Sequence, residues 1–216
     1  MTAQLDAPGT PAVVHDVVAA RTVDDRTAGH RDAALTDDVL ARRAGAGDEQ
    51  AFTVLVDRHG PGLHRHTSRL LADPRAVEDC LQETLIAAWR GLPGFRGQAS
   101  VKTWLFTIAR RQAYAQMRLA GSADRAGVAD PTEVLERIAD LRDDPARSGV
   151  ESGLREALDL ALTLLPRQQR SAWILKEVEE LTYAEIAAVL GVTSGSVRGL
   201  LARARASLAV SLAAWR

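Results

Sequence analysis

The sequence predicts an all-α protein made of two small helical domains joined by a flexible linker. Alanine, leucine and valine supply most of the apolar residues, while aromatic residues make up only 4% of the chain. Alanine and leucine favour helix, and runs of the β-branched residues that favour strands are rare. Apolar residues recur at helical spacing in two stretches, and a segment rich in Gly, Ser, Asp and Pro separates them.

The domain boundaries follow from this pattern. Residues 1–34 show no sustained period and are predicted to be a disordered N-terminal extension. One helical domain is expected over 35–118, a linker over 119–149, and a C-terminal domain over 150–216. A short apolar spacing inside the linker predicts a brief helix around Val134, Leu135, Ile138 and Leu141.

Composition argues against several classes of protein. Cys80 is the single cysteine, so neither a disulfide framework nor a cysteine zinc cluster is expected. No apolar run approaches the roughly 20 residues that span a bilayer, and the N-terminus lacks the pattern of a signal peptide. The sequence therefore predicts a cytoplasmic protein without membrane insertion, metal or cofactor.

Four helices are expected in the N-terminal domain and four in the C-terminal domain. Thr36 is expected to cap a helix to Leu40, with Asp37 and Asp38 in its first turn, where the helix dipole favours anions. Asp73, a capping residue followed by Pro74, is expected to begin another helix to about Trp89. The helix from Glu49 is expected to be interrupted or kinked at Gly60-Pro61-Gly62 before it resumes over 63–71. Further helices are predicted over 101–118, 152–165 and 166–178, followed by two shorter ones.

The last two helices form a predicted helix-turn-helix. Thr182 and Glu185 have the spacing of a capping box, Gly191 permits the left-handed backbone that ends a helix, and Thr193 caps the next one. The second helix carries a single apolar stripe of Val197, Leu201, Ala204 and Leu208. This order of caps, turn glycine and stripe is typical of a DNA-binding motif whose second helix enters the major groove.

The predicted recognition helix places small polar and basic side chains on its open face. They suit base edges near its start and phosphates along its flanks. The candidate residues are Thr193, Ser194, Ser196, Arg198, Arg203 and Arg205. An ordinary helical hairpin with a charged face is the alternative interpretation.

A second candidate nucleic-acid segment lies in the N-terminal domain. Between Glu83 and Asp124 there is no acidic residue, although the window holds six basic residues and five of the nine aromatic ones. Cations hold phosphates and aromatic rings stack on bases, so this segment suits single-stranded or melted DNA. Trp89 and Phe106 are expected in the core instead, and Trp104 is balanced between core and base contact.

An acidic and amide face precedes this segment on the same predicted helix. It consists of Glu78, Asp79, Gln82 and Glu83. Taken alone, the residues favour a solvated helix surface rather than a binding site.

Taken together and in this order, these segments resemble an extracytoplasmic-function (ECF) sigma factor of the sigma-70 family. The resemblance covers roughly 36–118 and 150–212. Ala76 to Trp89 resembles the polymerase-binding helix of that family, Phe95 to Arg110 its promoter-melting and −10 segment, and Tyr183 to Arg205 its −35 helix-turn-helix.

The resemblance implies a partner for each segment. The acidic face, with Asp79, Gln82 and Glu83, would dock on the clamp helices of the largest RNA polymerase subunit, and the protein would also meet the flap region. The recognition helix would read the −35 element of promoter DNA. An anti-sigma factor covering both domains is a further implied partner. The −10 strand would be held by Phe95, Arg96, Lys102, Trp104, Arg110, Arg111, Gln112 and Tyr114.

Some positions depart from the family pattern. Leu200, expected on the flank of the recognition helix, stands where a basic or polar residue is usual, and Gly199 stands where serine is usual. Glycine also weakens a helix by roughly 1 kcal/mol. Arg111-Gln112 stands where many members carry asparagine. These positions are expected to affect the affinity for the −35 element and the preferred −35 and −10 sequences.

Two other classes of protein remain as alternatives. One is a helix-turn-helix regulator that senses a ligand through its N-terminal domain and binds a palindromic site as a dimer. The acid-free aromatic segment argues against it. The other is an enzyme with a metal site. Its only clustered candidate ligands are His59, His64 and His66, and the spacing of the three does not place them together on one helix face. They are expected to be surface histidines instead.

Overall fold

The computed structural model describes residues 34–71, 73–119, 130–143 and 150–215, and within these residues every regular element is a helix. The predicted all-α fold is confirmed. The predicted extension 1–34 lies outside the described residues except for Ala34.

Four helices form the N-terminal domain. The side chain of Asp48 accepts a hydrogen bond from the Ala51 backbone N–H at 3.1 Å, and that of Asp73 accepts one from Arg75 at 3.0 Å. Both residues thus cap the helix that follows them. The helices are α1 (Asp37–Gly45), α2 (Glu49–Ser68), α3 (Pro74–Gly91) and α4 (Val101–Leu119).

Of the two outcomes predicted at Gly60-Pro61-Gly62, an interruption or a kink, the interruption is wrong, because α2 continues through Pro61 as one helix. Proline removes one backbone hydrogen bond and would ordinarily end or kink a helix. Here Leu55 and Val56 are buried before the proline, and Leu63 and His66 are buried after it. Burial of both halves against one core offsets the lost hydrogen bond and keeps the chain helical.

The C-terminal domain is also helical. Its helices are α5 (Pro131–Asp143), α6 (Val150–Thr163), α7 (Arg167–Trp173), α8 (Tyr183–Leu190) and α9 (Ser194–Ser211). One π-helical turn, Ile174–Val178, continues α7. Short 3₁₀ turns occur at Leu92–Gly94 and Ala213–Trp215.

Helix α5 lies within the predicted linker and packs on the C-terminal domain. Its Val134 and Ile138 are buried in one apolar cluster with Ala157 and Ala161 of α6. The sequence predicts a brief helix at this place, and burial of its apolar stripe explains why it forms.

The two domains share an apolar core. Phe52, Leu105 and Phe106 of the N-terminal domain belong to the same buried cluster as Ile186 and Leu190 of α8. Helix α8 packs against α4, so the helix-turn-helix rests on the N-terminal domain. The molecule is therefore in a closed arrangement, which a flexible linker would not by itself predict.

Across the part of the chain that the structure describes, no single helix has both the length and the apolar content to cross a bilayer. The pair α8 and α9 meets these two criteria only when taken together, and its two axes differ in direction by 96°.

Candidate nucleic-acid and polymerase interfaces

The turn between α8 and α9 has the backbone geometry of a helix-turn-helix. The Thr182 N–H donates to Glu185 Oε2 at 2.9 Å, and the Glu185 N–H donates to Thr182 Oγ1 at 3.3 Å, which completes the predicted capping box. Gly191 has φ 66° and ψ 38°, a left-handed conformation that glycine adopts readily. Thr193 accepts the Ser196 N–H at 3.1 Å and so caps α9.

The inward face of α9 is the predicted apolar stripe. Val197, Leu201, Ala204 and Leu208 are all buried. Leu200 is buried with them at 7% exposure, so its expected position on the DNA-facing flank is wrong. Positions 197, 200, 201 and 204 lie on one helical face, and an apolar side chain at 200 widens that face. Leu200 therefore serves packing, and a basic residue at this position would lie against the core.

The outward face of α9 leaves most candidate −35 residues accessible. Ser196, Arg198 and Arg203 are exposed, as is the capping residue Thr193, while Ser194 is half-buried. A Cβ atom at Gly199 would lie 3.4 Å from Arg203 Nη1, so the glycine leaves room for this guanidinium over the helix. The basic groups thus line the surface that a DNA backbone would meet.

Arg205 differs from the other arginines of α9. Its Nη2 donates to Glu177 Oε1 at 2.6 Å. This hydrogen-bonded ion pair holds the pKa of Arg205 above its usual value. A phosphate has to compete with Glu177 for this guanidinium, which weakens the expected contact.

The apolar face of α4 is structural. Val101, Leu105, Phe106 and Ala109 are buried, and Phe106 meets the His66 ring edge-on with centroids 5.5 Å apart. Trp89 packs edge-on against Phe52 at 5.2 Å. The predictions that Phe106 and Trp89 contribute to the core agree with this packing.

The candidate base-contacting rings of the N-terminal domain lie together at the start of α4. Phe95 and Trp104 are half-buried, with ring centroids 5.0 Å apart and planes tilted by 42°. A Cβ atom at Gly91 would lie 3.0 Å from Trp104 Cζ2, so the glycine lets the indole lie close against the end of α3. The two rings form one aromatic surface, part of which stays open to a ligand.

The remaining candidate −10 residues fall into two environments. Arg96 and Arg111 are exposed and Gln112 is half-buried, whereas the Arg110 guanidinium lies 4.6 Å from the centre of the Tyr114 ring. This cation–π contact orients both side chains along the second half of α4.

Lys102 is already engaged by the C-terminal domain. Its Nζ donates to the backbone oxygen of Glu179 at 2.5 Å and lies 3.8 Å from Glu179 Oε2. Sequence spacing gives no sign of this contact, because 77 residues separate the two groups. The structure thus covers one candidate −10 residue with the neighbouring domain.

The acidic face lies on the open side of α3. Glu78, Asp79 and Glu83 are exposed and Gln82 is half-buried, while Val77, Cys80 and Leu85 face the core. The Cys80 thiol donates to the Ala109 carbonyl at 3.7 Å, and burial raises its pKa to about 11. The packed side of α3 fixes the direction in which the acidic residues point.

The expectation that all three histidines are surface residues is wrong for two of them. His64 is exposed, but His59 and His66 are 8% and 0% exposed, because α2 buries the face on which they lie. His59 Nε2 lies 2.7 Å from Asp37 Oδ2. Within the described residues, no group of three or more His, Cys, Asp or Glu side chains is arranged to hold a metal ion.

Comparisons with known proteins match both halves of the chain. Residues 55–122 match the family model of sigma-70 region 2, and 155–208 match that of sigma-70, region 4. The ECF RNA polymerase sigma-E factor of Escherichia coli (strain K12) is 34% identical over 81% of this chain and 93% of its own length. The ECF RNA polymerase sigma factor SigM of Mycobacterium tuberculosis is 35% identical over 76% of this chain and 78% of its own.

Two solved structures share the fold. CnrH in complex with the cytosolic domain of CnrY gives a TM-score of 0.60 at 28% identity and covers 82% of this chain and 97% of that one. The sigma factor RpoE in complex with the anti-sigma factor NepR from Bartonella quintana gives 0.58 at 25% identity, with 76% and 98% covered. With both region models in order and relatives similar over most of their length, this chain belongs to the ECF RNA polymerase sigma factor family.

Proposed function

We propose that this protein binds core RNA polymerase through α3, holds the melted −10 strand along α4 and reads the −35 element with α9. The observation that carries the proposal is the combination of a capped helix-turn-helix, whose basic residues are exposed, with an acidic face and an aromatic, acid-free segment in the other domain. All three act by binding, so we propose no catalytic step. Because the proposed partner is core RNA polymerase, we propose that the protein acts in the cytoplasm.

Each surface has an assigned set of residues. Glu78, Asp79, Gln82 and Glu83 form the proposed polymerase contact, since acidic side chains on a rigid helix complement a basic partner. Phe95 and Trp104 offer rings to unpaired bases, and the cations and Gln112 along α4 hold the strand. Thr193, Ser194 and Ser196 meet base edges near the start of α9, and the three arginines meet phosphates.

We propose the predicted boundaries for the domains with one addition. Residues 35–118 and 150–216 correspond to the two sigma regions, and the connection lies over 119–149. Helix α5, within this connection, packs with the second domain through Val134 and Ile138. We propose that it moves together with that domain.

An anti-sigma factor is a further proposed partner. Both solved structures named above hold a second protein, which in the Bartonella quintana complex is the anti-sigma factor NepR. A partner that binds both domains at once would keep α4 and α9 from DNA.

The first test is the formation of a holoenzyme. Purified full-length protein is mixed with core RNA polymerase and run on a sizing column, and co-elution in a one-to-one complex is expected. A protein that elutes apart from polymerase as a dimer would instead favour a ligand-sensing helix-turn-helix regulator.

The docking surface is tested by charge reversal. Asp79→Arg with Glu83→Arg should abolish co-elution. Both carboxylates are exposed, and the arginines that replace them would repel the basic groups on polymerase that the carboxylates are proposed to attract. Asp57→Arg with Glu156→Arg reverses two other exposed acids and should leave co-elution unchanged. Normal holoenzyme formation by the first variant would remove the assignment of α3.

A further inference from the structure

We infer that Glu179 is an intramolecular latch that holds the protein closed and covers the start of the −10 segment. The inference rests on the proposed function of α4. It gives the isolated protein a low-activity state, with the −35 surface open and the −10 surface partly covered.

Glu179 makes its contacts across the domain boundary. Its side chain is 4% exposed, although it is a carboxylate at the end of a helix. Oε1 accepts hydrogen bonds from Arg65 Nε at 3.2 Å and from Arg65 Nη2 at 3.0 Å, and Lys102 binds the backbone oxygen of the same residue. Buried carboxylates are rare unless they are paired, and here both cations come from the other domain.

Helix α2 provides a space shaped for this carboxylate. A Cβ atom at Gly62 would lie 2.6 Å from Glu179 Oε2, which is closer than van der Waals contact permits. Glycine at position 62 therefore leaves room for the carboxylate against the helix backbone, and a side chain there would push the end of Glu179 out of its present position.

The turn that carries Glu179 has an unusual backbone. One π-helical turn ends at Val178, and Glu180 adopts φ 59°, the only positive φ of a non-glycine residue in the described part of the chain. Such a conformation is unfavourable for a residue with a Cβ atom. Strain of this kind persists where the surroundings hold it in place. The contacts of Glu179 are among those that hold this turn, together with the Leu181 N–H, which donates to the Leu175 backbone oxygen at 2.9 Å.

A second carboxylate extends the contact along α4. Glu185 Oε1 accepts hydrogen bonds from Ser100 Oγ at 3.1 Å and from Thr103 Oγ1 at 3.0 Å. Together, Glu179 and Glu185 engage three residues at the beginning of α4, beside the Phe95 and Trp104 rings. DNA entering here finds Lys102 occupied by the buried Glu179 and meets the half-buried Glu185 carboxylate, so the closed form disfavours binding.

Other contacts tie the same two domains at the far end of α2. Arg170 is buried and donates to the Arg69 backbone oxygen at 3.0 Å, while Arg69 Nη2 donates to Asp159 Oδ1 at 2.7 Å. These contacts add to the closure of the two domains, but none of them engages a candidate DNA-binding residue, whereas Glu179 engages Lys102.

The test compares two glycine variants of the full-length chain. Gly62→Ala places a methyl group on Glu179, whereas Gly60→Ala, two residues earlier on the same helix, meets only Val56 Cγ1 at 3.9 Å. Both changes favour helix, so neither should prevent folding. Glu179→Gln, which keeps the shape and removes the charge, is the second latch variant.

Domain separation is measured by energy transfer between two dyes, attached to cysteines introduced at the exposed positions Asp57 and Glu156. The native Cys80 is buried and therefore does not compete for the dyes. Binding is read with fluorescein-labelled (dT)20 at fixed salt. Gly62→Ala and Glu179→Gln should lower transfer and bind (dT)20 about threefold to tenfold tighter than wild type and Gly60→Ala, since a larger fraction of the protein is open.

Two results would overturn the inference. Equal energy transfer in Gly62→Ala and Gly60→Ala would show that Glu179 does not hold the domains together. Lower transfer with unchanged (dT)20 binding would show that closure does not cover a DNA site. Wild-type co-elution with core polymerase, measured in parallel, separates these results from a failure of the proposed function.

Discussion

The two candidate DNA-binding helices, α4 and α9, differ in how accessible their candidate DNA-contacting side chains are. On α9 the apolar stripe faces inward and Ser196, Arg198 and Arg203 face outward. On α4, Trp104 and Tyr114 are half-buried, Phe106 is fully buried, and Lys102 contacts Glu179. On a helix whose side chains both pack in the core and contact a ligand, the buried and the ligand-contacting residues do not fall on two separate faces. How accessible the ligand-contacting residues are then depends on the neighbouring domain.

The largest expected effect tests the structural half of α4. Phe106→Ala should lower the free energy of unfolding by about 3–5 kcal/mol, because the ring is fully buried and its removal leaves a cavity. Arg111→Ala, an exposed change on the same helix, should alter it by less than about 0.5 kcal/mol. Urea unfolding followed by circular dichroism measures both, and a neutral Phe106→Ala would mean that this ring does not support the fold.

The second prediction concerns the histidine beneath α4. His66 is fully buried, neither ring nitrogen has a hydrogen-bond partner in the described part of the chain, and the ring packs on Phe106. Burial first, and then the charges of Arg110 and Arg69, lower its pKa to about 4. The folded protein therefore binds this proton less readily than the unfolded chain does.

The sign follows from that difference. Well above pH 6.5 neither state protonates His66. As the pH falls through about 6.5 towards about 4, mainly the unfolded state gains the proton, so stability is lost. The loss is roughly 3 kcal/mol at most. His66→Leu should remove this part of the acid sensitivity and leave stability at pH 7.5 equal or higher. Parallel pH profiles of wild type and variant would contradict the assignment.

The third prediction sharpens the comparison within α9. Arg198→Ala should weaken binding to duplex promoter DNA by roughly 1 kcal/mol and reduce its salt dependence by about one ion. Arg205→Ala should have a smaller effect, because Glu177 already neutralises this guanidinium. Anisotropy titrations at several salt concentrations measure both. A larger effect of Arg205→Ala would mean that the Glu177 contact breaks easily in favour of phosphate.

Local sequence signals predicted the helix-turn-helix well. Thr182, Glu185, Gly191 and Thr193 act within a few residues of one another, so their spacing is sufficient to predict caps and turn. The same holds for the buried stripe that begins at Val197. Leu200 was misplaced because a family pattern, rather than helical geometry, assigned it to the flank.

The contacts between the two domains could not be predicted from the sequence. Nothing in the spacing of Arg65 and Glu179, 114 residues apart, predicts their ion pair. His66 was expected at the surface because its side chain is polar, but polarity is a weak guide to exposure on a helix that is buried on several sides. Gly62, read as a turn signal, instead makes room for a carboxylate from the other domain. These features arise from how two domains pack, which depends on shape as well as on pattern.

The smallest expected effect concerns the turn that brings Glu179 onto α4. Glu180 has φ 59°, a conformation that glycine adopts without the clash of a Cβ atom. Glu180→Gly should therefore raise the free energy of unfolding by about 0.5–1 kcal/mol, after allowing for the greater flexibility of glycine in the unfolded chain. Glu180→Ala removes the same carboxylate but keeps the Cβ atom, and should give no gain. Equal effects of the two changes in urea unfolding would assign the result to the lost carboxylate. A gain confined to glycine would show that the positive φ of Glu180 costs stability in the native turn.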